Sequence, residues 1–519
     1  MKISILDCTL RDGGYINNFH FGVNRIQTIK EKLYEANIEI IECGFLKSGC
    51  NDPDCSLYGS VEQVRLPAKR GNQMFVAMIA YGDISADEIT KYQYGLIDGI
   101  RLTFHNSEWK NTRQMAIELM EKGYKIFIQP VGTISYTDEQ LLYLVNEVNS
   151  LNPYAFYIVD TLGSMYRNDL LRLFFLIENN LSKNILLGFH SHNNMQLSFA
   201  NAMTLLEQHT NRHVIIDSSI FGMGRGAGNL NTELITHYIN NNMENRYNLI
   251  PLLELIDDVI LPIYKYSFWG FSEPYYLSAI MGVHPNYATY LIDKQSVGMT
   301  KIAEILKKLT GNNKHIFKKS IIEELYHTEM SNSVEDSVAI LEISKKIKNR
   351  NVLVIAPGSN VKKYSEKIKE HIKKTLPFII SLNFVPEDIS PDLVFISNRK
   401  RYEQLHSDKH TIAVTSNIAV KVKKRMYVID YNSLIKNKSD SSGIMLLRFL
   451  LRLKTKHAVL AGYDGFTNGT NHYNAALDSY LSAETIIALN SSIGKQLAEI
   501  RKLLSMEFIT PTAYNVKTE

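Results

Sequence analysis

Four cysteines in 519 residues are too few for a disulfide framework, so a buried apolar core has to hold this chain together. No apolar run reaches the ~18–20 residues that a bilayer-spanning helix needs. Met1-Lys2 leads straight into Ile3-Ser4-Ile5-Leu6, a strand pattern rather than the apolar stretch of a signal peptide. These absences predict a cytoplasmic protein in a reducing compartment. An excess of one charge is missing as well: 57 Lys and Arg stand against 53 Asp and Glu, a formal net charge of +4. That balance predicts no nucleic-acid partner and no membrane partner, and the basic stretch Lys362–Lys374 reads as a solvated helix face. The 45% hydrophobic and 21% charged content is that of an ordinary globular chain, long enough for two or three cores.

What is present is a rhythm. Short apolar runs alternate with helix-length amphipathic stretches such as Asn24–Ala36 and Asn111–Lys122, the pattern of βα units around a parallel sheet. Eight candidate strands follow one another: Ile3–Leu6, Ile38–Cys43, Met74–Ile79, Gly99–Leu102, Lys125–Gln129, Ala155–Val159, Ile185–Phe189 and Val214–Asp217. Eight units in the first ~240 residues predict a (β/α)8 TIM barrel, with an open doubly wound sheet as the competing α/β architecture.

Helical segments are expected after the eighth strand, at Thr232–Met243, at Leu252–Leu261 and onward to about Leu341, and Lys345–Asn351 has the composition of a domain edge. From Asn351 a second α/β pattern begins, with apolar runs at Phe378–Leu382, Leu393–Ile396, Thr411–Thr415, Met426–Ile429 and Ala458–Ala461. The expected organisation is a barrel over 1–290, a helical extension or linker over 291–345, and a smaller Rossmann-like α/β domain over 346–519.

Three motifs fall just past strand ends, where a barrel places its active site. They are Asp7-Cys8-Thr9-Leu10-Arg11-Asp12-Gly13-Gly14, His190-Ser191-His192-Asn193-Asn194, and Gly222-Met223-Gly224-Arg225-Gly226-Ala227-Gly228-Asn229. Histidines one residue apart project to the same side of an extended strand. Strands one and seven are both odd-numbered, so their inward residues share a layer. One carboxylate and two imidazoles would leave open positions on an octahedral Mn2+ or Mg2+ for a bidentate substrate.

Thr9-Leu10-Arg11-Asp12-Gly13, Ile41-Glu42-Cys43-Gly44-Phe45, Asp160-Thr161-Leu162-Gly163, His190-Ser191-His192 and Gly224–Asn229, in this order and spacing, resemble the DRE-TIM metallolyases. That family includes 4-hydroxy-2-oxovalerate aldolase, hydroxymethylglutaryl-CoA lyase and the isopropylmalate and homocitrate synthases. The resemblance covers about the first 290 residues. It implies that Asp12, His190 and His192 bind a divalent metal, with Asn229 a further ligand or a neighbour of one, and that Arg11 lies beside the substrate's keto oxygen. The implied activity is that of a metal-dependent aldolase, a carbon–carbon lyase taking a 4-hydroxy-2-oxo acid through a metal-bound pyruvate enolate. Its partners would be a 2-oxo acid and an aldehyde, and the post-barrel helices suggest a homo-oligomer. A Claisen-type acyl-CoA/2-oxo acid synthase is the alternative on the same site. A non-catalytic barrel fused to a nucleotide- or sugar-phosphate-binding module is the alternative of another class.

The proton-transfer group is where the chain departs from the aldolases. Their Arg-Asp-Gly-x-His motif ends here in Tyr15, and a tyrosine with an ordinary pKa near ~10 is a poor base at neutral pH. His20 and His284 are further candidates, and Gly282-Val-His-Pro-Asn-Tyr287 resembles the segment that gives those enzymes a proton-donating tyrosine, which makes Tyr287 another. Glu42 is expected to orient Arg11 or a metal-bound water, or to form a structural ion pair. Asp160 and Thr161 are expected to support the site rather than to ligate, and no further cofactor-binding residue is expected. Cys50 and Cys55 lack a second pair at zinc spacing and read as loop cysteines, while Cys8 and Cys43 read as small core residues. Ala356–Asn360 reads as a strand-to-helix turn, with phosphate cradling as its less favoured alternative.

Overall fold

The structure, a computed structural model, describes residues 2–67, 71–294, 297–405, 409–418, 424–436, 441–467, 472–473 and 483–514. Met1–Thr289 and Thr310–Phe317 form one compact unit, and Tyr290–Leu309 with Lys318–Glu519 form the other.

In the first unit each of the eight apolar runs is a strand: β1 Lys2–Asp7, β2 Ile40–Leu46, β3 Met74–Ala80, β4 Gly99–Phe104, β5 Lys125–Pro130, β6 Ala155–Asp160, β7 Leu186–Ser191 and β8 His213–Ser218. Each pairs in parallel with its chain neighbours. β8 closes on β1 in the register Lys2↔His213 to Asp7↔Ser218, and β1 also pairs with β2. The sheet is therefore a closed TIM barrel, and the open alternative is excluded. A two-residue strand, Leu57–Tyr58, adds to the end of β2.

Helices α1 Val23–Glu35, α2 Trp109–Glu121, α3 Asp138–Leu151, α4 Arg167–Asn180, α5 Ser198–Leu206 and α6 Thr232–Asn242 surround the barrel. Behind β2 and β3 the helical elements among the described residues are short 3-10 turns, Val61–Gln63 and Ala86–Glu88. Among the described residues no helix is long and apolar enough to cross a membrane.

The two-residue period of the strands sorts the core. Ile3, Ile5, Ile41, Ile100, Leu102, Ile126, Ile128, Phe156, Ile158, Leu187, Phe189, Val214 and Ile216 pack in the large outer cluster that includes the helices. Leu6, Ile40, Val76, Phe127, Ala155, Tyr157 and Ile215 form a separate inner one. The inward set continues toward the carboxyl ends as Glu42, Arg101, Gln129, His190 and Asp217, none more than 4% exposed. The lumen is thus hydrocarbon at one end and charge at the other. Each large apolar side chain buried below contributes about 1.5–3 kcal/mol, which offsets the cost of desolvating the charges above.

After a helical stretch that includes Glu273–Met281, Met299–Leu306, Lys319–Met330 and Ser337–Ile347, the second unit carries a parallel sheet. Its strands among the described residues are β9 Val352–Ile355, β10 Phe378–Leu382, β11 Leu393–Ile396, β12 Ile412–Thr415, β13 Met426–Ile429, β14 His457–Ala461 and β15 Ser505–Phe508, in the order β13-β12-β11-β10-β9-β14-β15. The chain winds outward from β9 and then returns to its other side, a doubly wound Rossmann-like topology. β15 is the strand the apolar pattern missed. It sits at the sheet edge, and only Met506 of its four residues is buried. In the Ala356–Asn360 turn the Asn360 N–H donates to the Asp464 carboxylate at 2.7 Å and the Gly358 N–H to the Gly462 carbonyl at 3.1 Å. These two amides are thus engaged within the chain.

Candidate active site

Past β1 the chain turns sharply, with the Arg11 and Asp12 N–H groups both donating to the Cys8 carbonyl (3.1 and 2.8 Å). The turn leaves Arg11 and Asp12 buried, 5% and 1% exposed, as are His190 on β7 and His192 just beyond it, 4% and 7%. Asp12 Oδ2 lies 3.3 Å from His190 Nε2 and 3.6 Å from His192 Nε2. The two imidazole rings stand nearly perpendicular with centroids 5.2 Å apart. The residues expected to converge from strands one and seven do so.

Asn229 arrives on the glycine-rich segment through an antiparallel bridge with His192. Its amide Nδ2 donates to the Met223 carbonyl at 3.1 Å. Two glycines make this packing possible. Gly228, at φ +84°, brings its backbone against the Gly222 carbonyl, where a Cβ would stand 2.0 Å from the oxygen. Gly163, at φ +57°, lets the loop after β6 touch the His192 carbonyl, which a Cβ would meet at 2.8 Å.

Among the described residues Asn229 Oδ1 is buried with no hydrogen-bond partner, while Asp12 Oδ2 is buried against the Arg11 guanidinium and the two imidazoles. Leaving an acceptor such as Asn229 Oδ1 unpaired costs about 1–3 kcal/mol. A carboxylate oxygen, an orphaned amide oxygen and two Nε2 atoms directed at the carboxylate make a mixed O/N donor set that suits a small divalent cation.

Behind these donors the charges close into a ring. Arg11 Nη1 pairs with Asp12 Oδ2 at 3.0 Å, and Arg11 Nε donates to Glu42 Oε2 at 2.8 Å. Arg101 Nη1 donates to the same Glu42 oxygen at 2.6 Å, and Arg101 Nη2 pairs with Asp217. Asp217 Oδ2 then lies 3.0 Å from His190 Nδ1, which leads back to Asp12. With its Nδ1–H directed at Asp217, His190 keeps the Nε2 lone pair free for a cation, the carboxylate–histidine arrangement that orients metal-ligating imidazoles.

The ring sets the charge states. Burial opposes ionisation of Asp12, yet Arg11 and the two histidines hold its pKa well below the usual carboxylate range. Burial likewise opposes ionisation of Asp217, which Arg101 and His190 overcome, lowering its pKa. His190 is raised, because its contacts with Asp12 and Asp217 outweigh desolvation. His192 is pushed down to about 3, mainly by burial, so its imidazole is neutral at pH 7.

The other expected site residues are placed as follows. Glu42 bridges Arg11 and Arg101. The Asp160 carboxylate accepts the Ser164 and Met165 N–H groups (3.0 and 3.1 Å), and Thr161 Oγ1 accepts the Gly132 N–H at 2.9 Å, so both organise loops. Tyr15 lies at the rim, 42% exposed, with the Arg225 guanidinium over its ring at 5.0 Å. Desolvation raises its pKa against the pull of Arg225 and Arg11, the opposite of what a tyrosine base requires.

The remaining proton-transfer candidates make the following contacts. His20 sits on an exposed loop 3.7 Å from Asp52. Tyr287 is fully buried and donates its hydroxyl to the Ile316 carbonyl at 2.8 Å. His284 accepts the Asn286 N–H on Nδ1 at 3.2 Å, and its pKa is pushed down to about 3, by burial first and then by Arg225, His105 and His192. Cys8, read as core, is fully buried and lies with Asp12 and His190 in one group of potential ligands. Burial drives its pKa well up, so it is a thiol that donates to the Ser218 carbonyl at 3.2 Å.

Arg101 and Asp217 were not anticipated. Each is a lone charged residue inside an apolar strand, Gly99-Ile-Arg-Leu-Thr-Phe104 and His213-Val-Ile-Ile-Asp-Ser218. A charge in such a run is rarely buried unless it is paired, and that was the available signal.

Residues 106–259 match the HMGL-like family model. The chain is 24% identical over 270 residues to 4-hydroxy-2-oxovalerate aldolase of Pseudoalteromonas translucida (strain TAC 125), covering 50% of this chain and 77% of the relative. It is 26% identical over 278 residues to 4-hydroxy-2-oxovalerate aldolase 2 of Rhodococcus opacus (strain B4), covering 51% and 76%. Among solved structures, the N-terminal domain of a candidate aldolase from Bacteroides vulgatus superposes with a TM-score of 0.50 at 22% identity, over 58% of this chain and 99% of that one, a likeness of fold. Family model, curated relatives and barrel agree: the chain carries an HMGL-like (DRE-TIM) domain match over residues 106–259, within its N-terminal barrel.

Proposed function

We propose that the barrel is a divalent-metal-dependent aldolase that cleaves a 4-hydroxy-2-oxo acid to pyruvate and an aldehyde, and joins them in reverse. The observation that carries this reading is the convergence of Asp12 Oδ2 with the Nε2 atoms of His190 and His192 beside a buried arginine. Those three residues would hold Mn2+ or Mg2+, with Asn229 Oδ1 as a further donor. When bound, the cation supplies Lewis-acid polarisation to the carboxylate and keto oxygens of a 2-oxo acid. The similarity to two hydroxy-oxovalerate aldolases supports the substrate class.

The remaining work falls to the chain's own side chains. In cleavage the C3–C4 bond breaks, the C4 hydroxyl loses its proton, and the electron pair moves onto the C2 oxygen as an enolate, which then takes a proton at C3. Arg11 is the permanent cation for that oxygen. Asp12 and Glu42 fix its orientation, and its buried Nη2 has no partner among the described residues. Such a preorganised donor is worth about 10²–10³ in rate. In bond formation Tyr15, a phenol that burial keeps protonated at the rim, donates to the aldehyde oxygen; in cleavage the C4 hydroxyl proton passes to solvent, and C3 takes its proton from solvent. His190 and His192 stay in place through Asp217 and the β7 backbone.

Enolisation can be tested without knowing the aldehyde. In D2O with Mn2+, the chain is expected to exchange the methyl protons of pyruvate for deuterium, followed by NMR, and His190→Ala is expected to abolish the exchange. In a Claisen-type synthase the acyl-CoA enolises and the 2-oxo acid is the electrophile. Exchange on acetyl-CoA with none on pyruvate would therefore overturn the aldolase reading.

A further inference from the structure

Away from the Asp12 cluster, two loops meet at the barrel rim. The loop after β1 meets the loop after β2 through an antiparallel bridge between His20 and Cys55. The Ser56 N–H donates to the Phe19 carbonyl at 3.0 Å and the Gly22 N–H to the Asp54 carbonyl at 2.9 Å. Val23 N–H adds a bond to the Asp54 carboxylate at 2.9 Å. This pairing brings His20, Asp52 and Cys55 together, with one potential ligand atom of each within 4.8 Å of the others.

Two of the three separations are those of a coordination shell. Asp52 Oδ2 lies 3.7 Å from His20 Nε2 and 3.5 Å from Cys55 Sγ. Atoms about 2.0–2.3 Å from a tetrahedral Zn2+ stand about 3.3–3.8 Å apart. The carboxylate is aimed: its other oxygen accepts the Asp54 N–H at 3.0 Å, and the Cys55 N–H closes the turn onto the Asp52 carbonyl at 3.1 Å. Imidazole, thiolate and carboxylate together favour zinc over magnesium, calcium or manganese.

We infer that His20, Asp52 and Cys55 form a second transition-metal site, with three protein ligands and one open position, that takes Zn2+ and clasps the loop after β1 to the loop after β2. Cys50 falls outside the three-residue group. The side chains of His20 and Asp52 are 59% and 49% exposed, so solvent completes the tetrahedron. Cysteine spacing alone does not reveal this site, because the third ligand, His20, comes from a different loop. The clasp bears on the rim, since Phe19, next to His20, packs edge-on against Tyr15 and Phe45 with ring centroids 5.2 and 5.7 Å away. It does not rest on the aldolase reading.

The test is titration of the full chain, freed of metal, with Co2+ as a spectroscopic stand-in for Zn2+. A sulfur-to-cobalt charge-transfer band is expected at one thiolate per chain, displaced by added Zn2+. Cys55→Ser should abolish the band with the far-UV circular dichroism unchanged, and His20→Ala should weaken Co2+ binding at this site by at least tenfold. Cys8→Ser should leave the band intact. If that buried variant fails to fold, the isosteric Cys55→Ser decides alone. No band at saturating Co2+, or a band that survives Cys55→Ser, would overturn the proposal.

Discussion

The two sheets of this chain are built alike at their cores and differently at their carboxyl ends. Both are parallel, and both are filled with Val, Ile, Leu and Phe. Above the barrel strands stand Arg11, Asp12, Glu42, Arg101, His190 and Asp217, all buried and charged or chargeable. Along the second sheet the corresponding ends carry one carboxylate, Asp464, which accepts the Asn360 N–H, and otherwise small neutral groups: Ser381 and Ser397, each with a buried hydroxyl lacking a partner among the described residues, and Thr415, whose hydroxyl donates to the Asn417 side chain at 2.5 Å. Desolvating a ring of ions costs several kcal/mol per ion before pairing, whereas a buried hydroxyl costs far less. A ring that earns no net stability is retained for what it holds in place, and here that is Asp12, Arg11 and His190.

The comparison breaks most sharply at Arg101. Arg101→Met leaves Glu42 and Asp217 buried beside too little positive charge, and a loss of about 3–5 kcal/mol is expected in urea unfolding. Arg11→Ala should lower pyruvate proton exchange by about 10²–10³ with Mn2+ saturating, and a loss below tenfold would remove Arg11 from its assigned role.

A pH series sharpens the comparison on the barrel side. Asp7, buried between the Thr9 N–H and the Thr232 hydroxyl, has its pKa raised by burial from 3.8 to about 6. The folded state therefore binds this proton more tightly than the unfolded one does. The stability contributed by Asp7 is complete below about pH 4 and is lost as pH rises through about 6, on the order of 3 kcal/mol in all. Asp7→Asn should remove that fall, so its unfolding free energy relative to wild type improves from pH 4 to pH 7. A constant difference between the two proteins would contradict the assignment.

Asp217→Asn, which deprives His190 Nδ1 of its carboxylate, should weaken Mn2+ binding by about 10–100-fold. Ser381→Ala, at the quiet end of the second sheet, should change stability by no more than ~1 kcal/mol in either direction. A large loss there would mean that this end depends on its buried polar groups no less than the charged end of the barrel does.

The barrel was legible because strands covered on both faces read as unbroken apolar runs, and closure followed from their number. The motifs Arg11-Asp12 and His190-Ser191-His192 were legible because each sits directly at a strand end, so local geometry already fixes where they point. Arg101 and Asp217 were not, since they lie 116 residues apart and become partners only when β8 closes on β1. Tyr287 looked like a donor for the site because its sequence context resembles one, but its hydroxyl is taken by the backbone carbonyl of Ile316, which no local pattern encodes. The edge strand β15 alternates exposed and buried residues too weakly to announce itself, and the two-residue strand Leu57–Tyr58 is too short to carry any period.

The central claim is that Asp12, His190 and His192 together hold one cation. Electron paramagnetic resonance titration of the full chain with Mn2+, an ion that the sulfur-containing rim site disfavours, measures it directly. Wild type should bind one Mn2+ per chain at the barrel mouth, and Asp12→Asn, His190→Ala and His192→Ala should each weaken that binding by at least ~100-fold. Equal Mn2+ binding by wild type and all three variants would contradict the account.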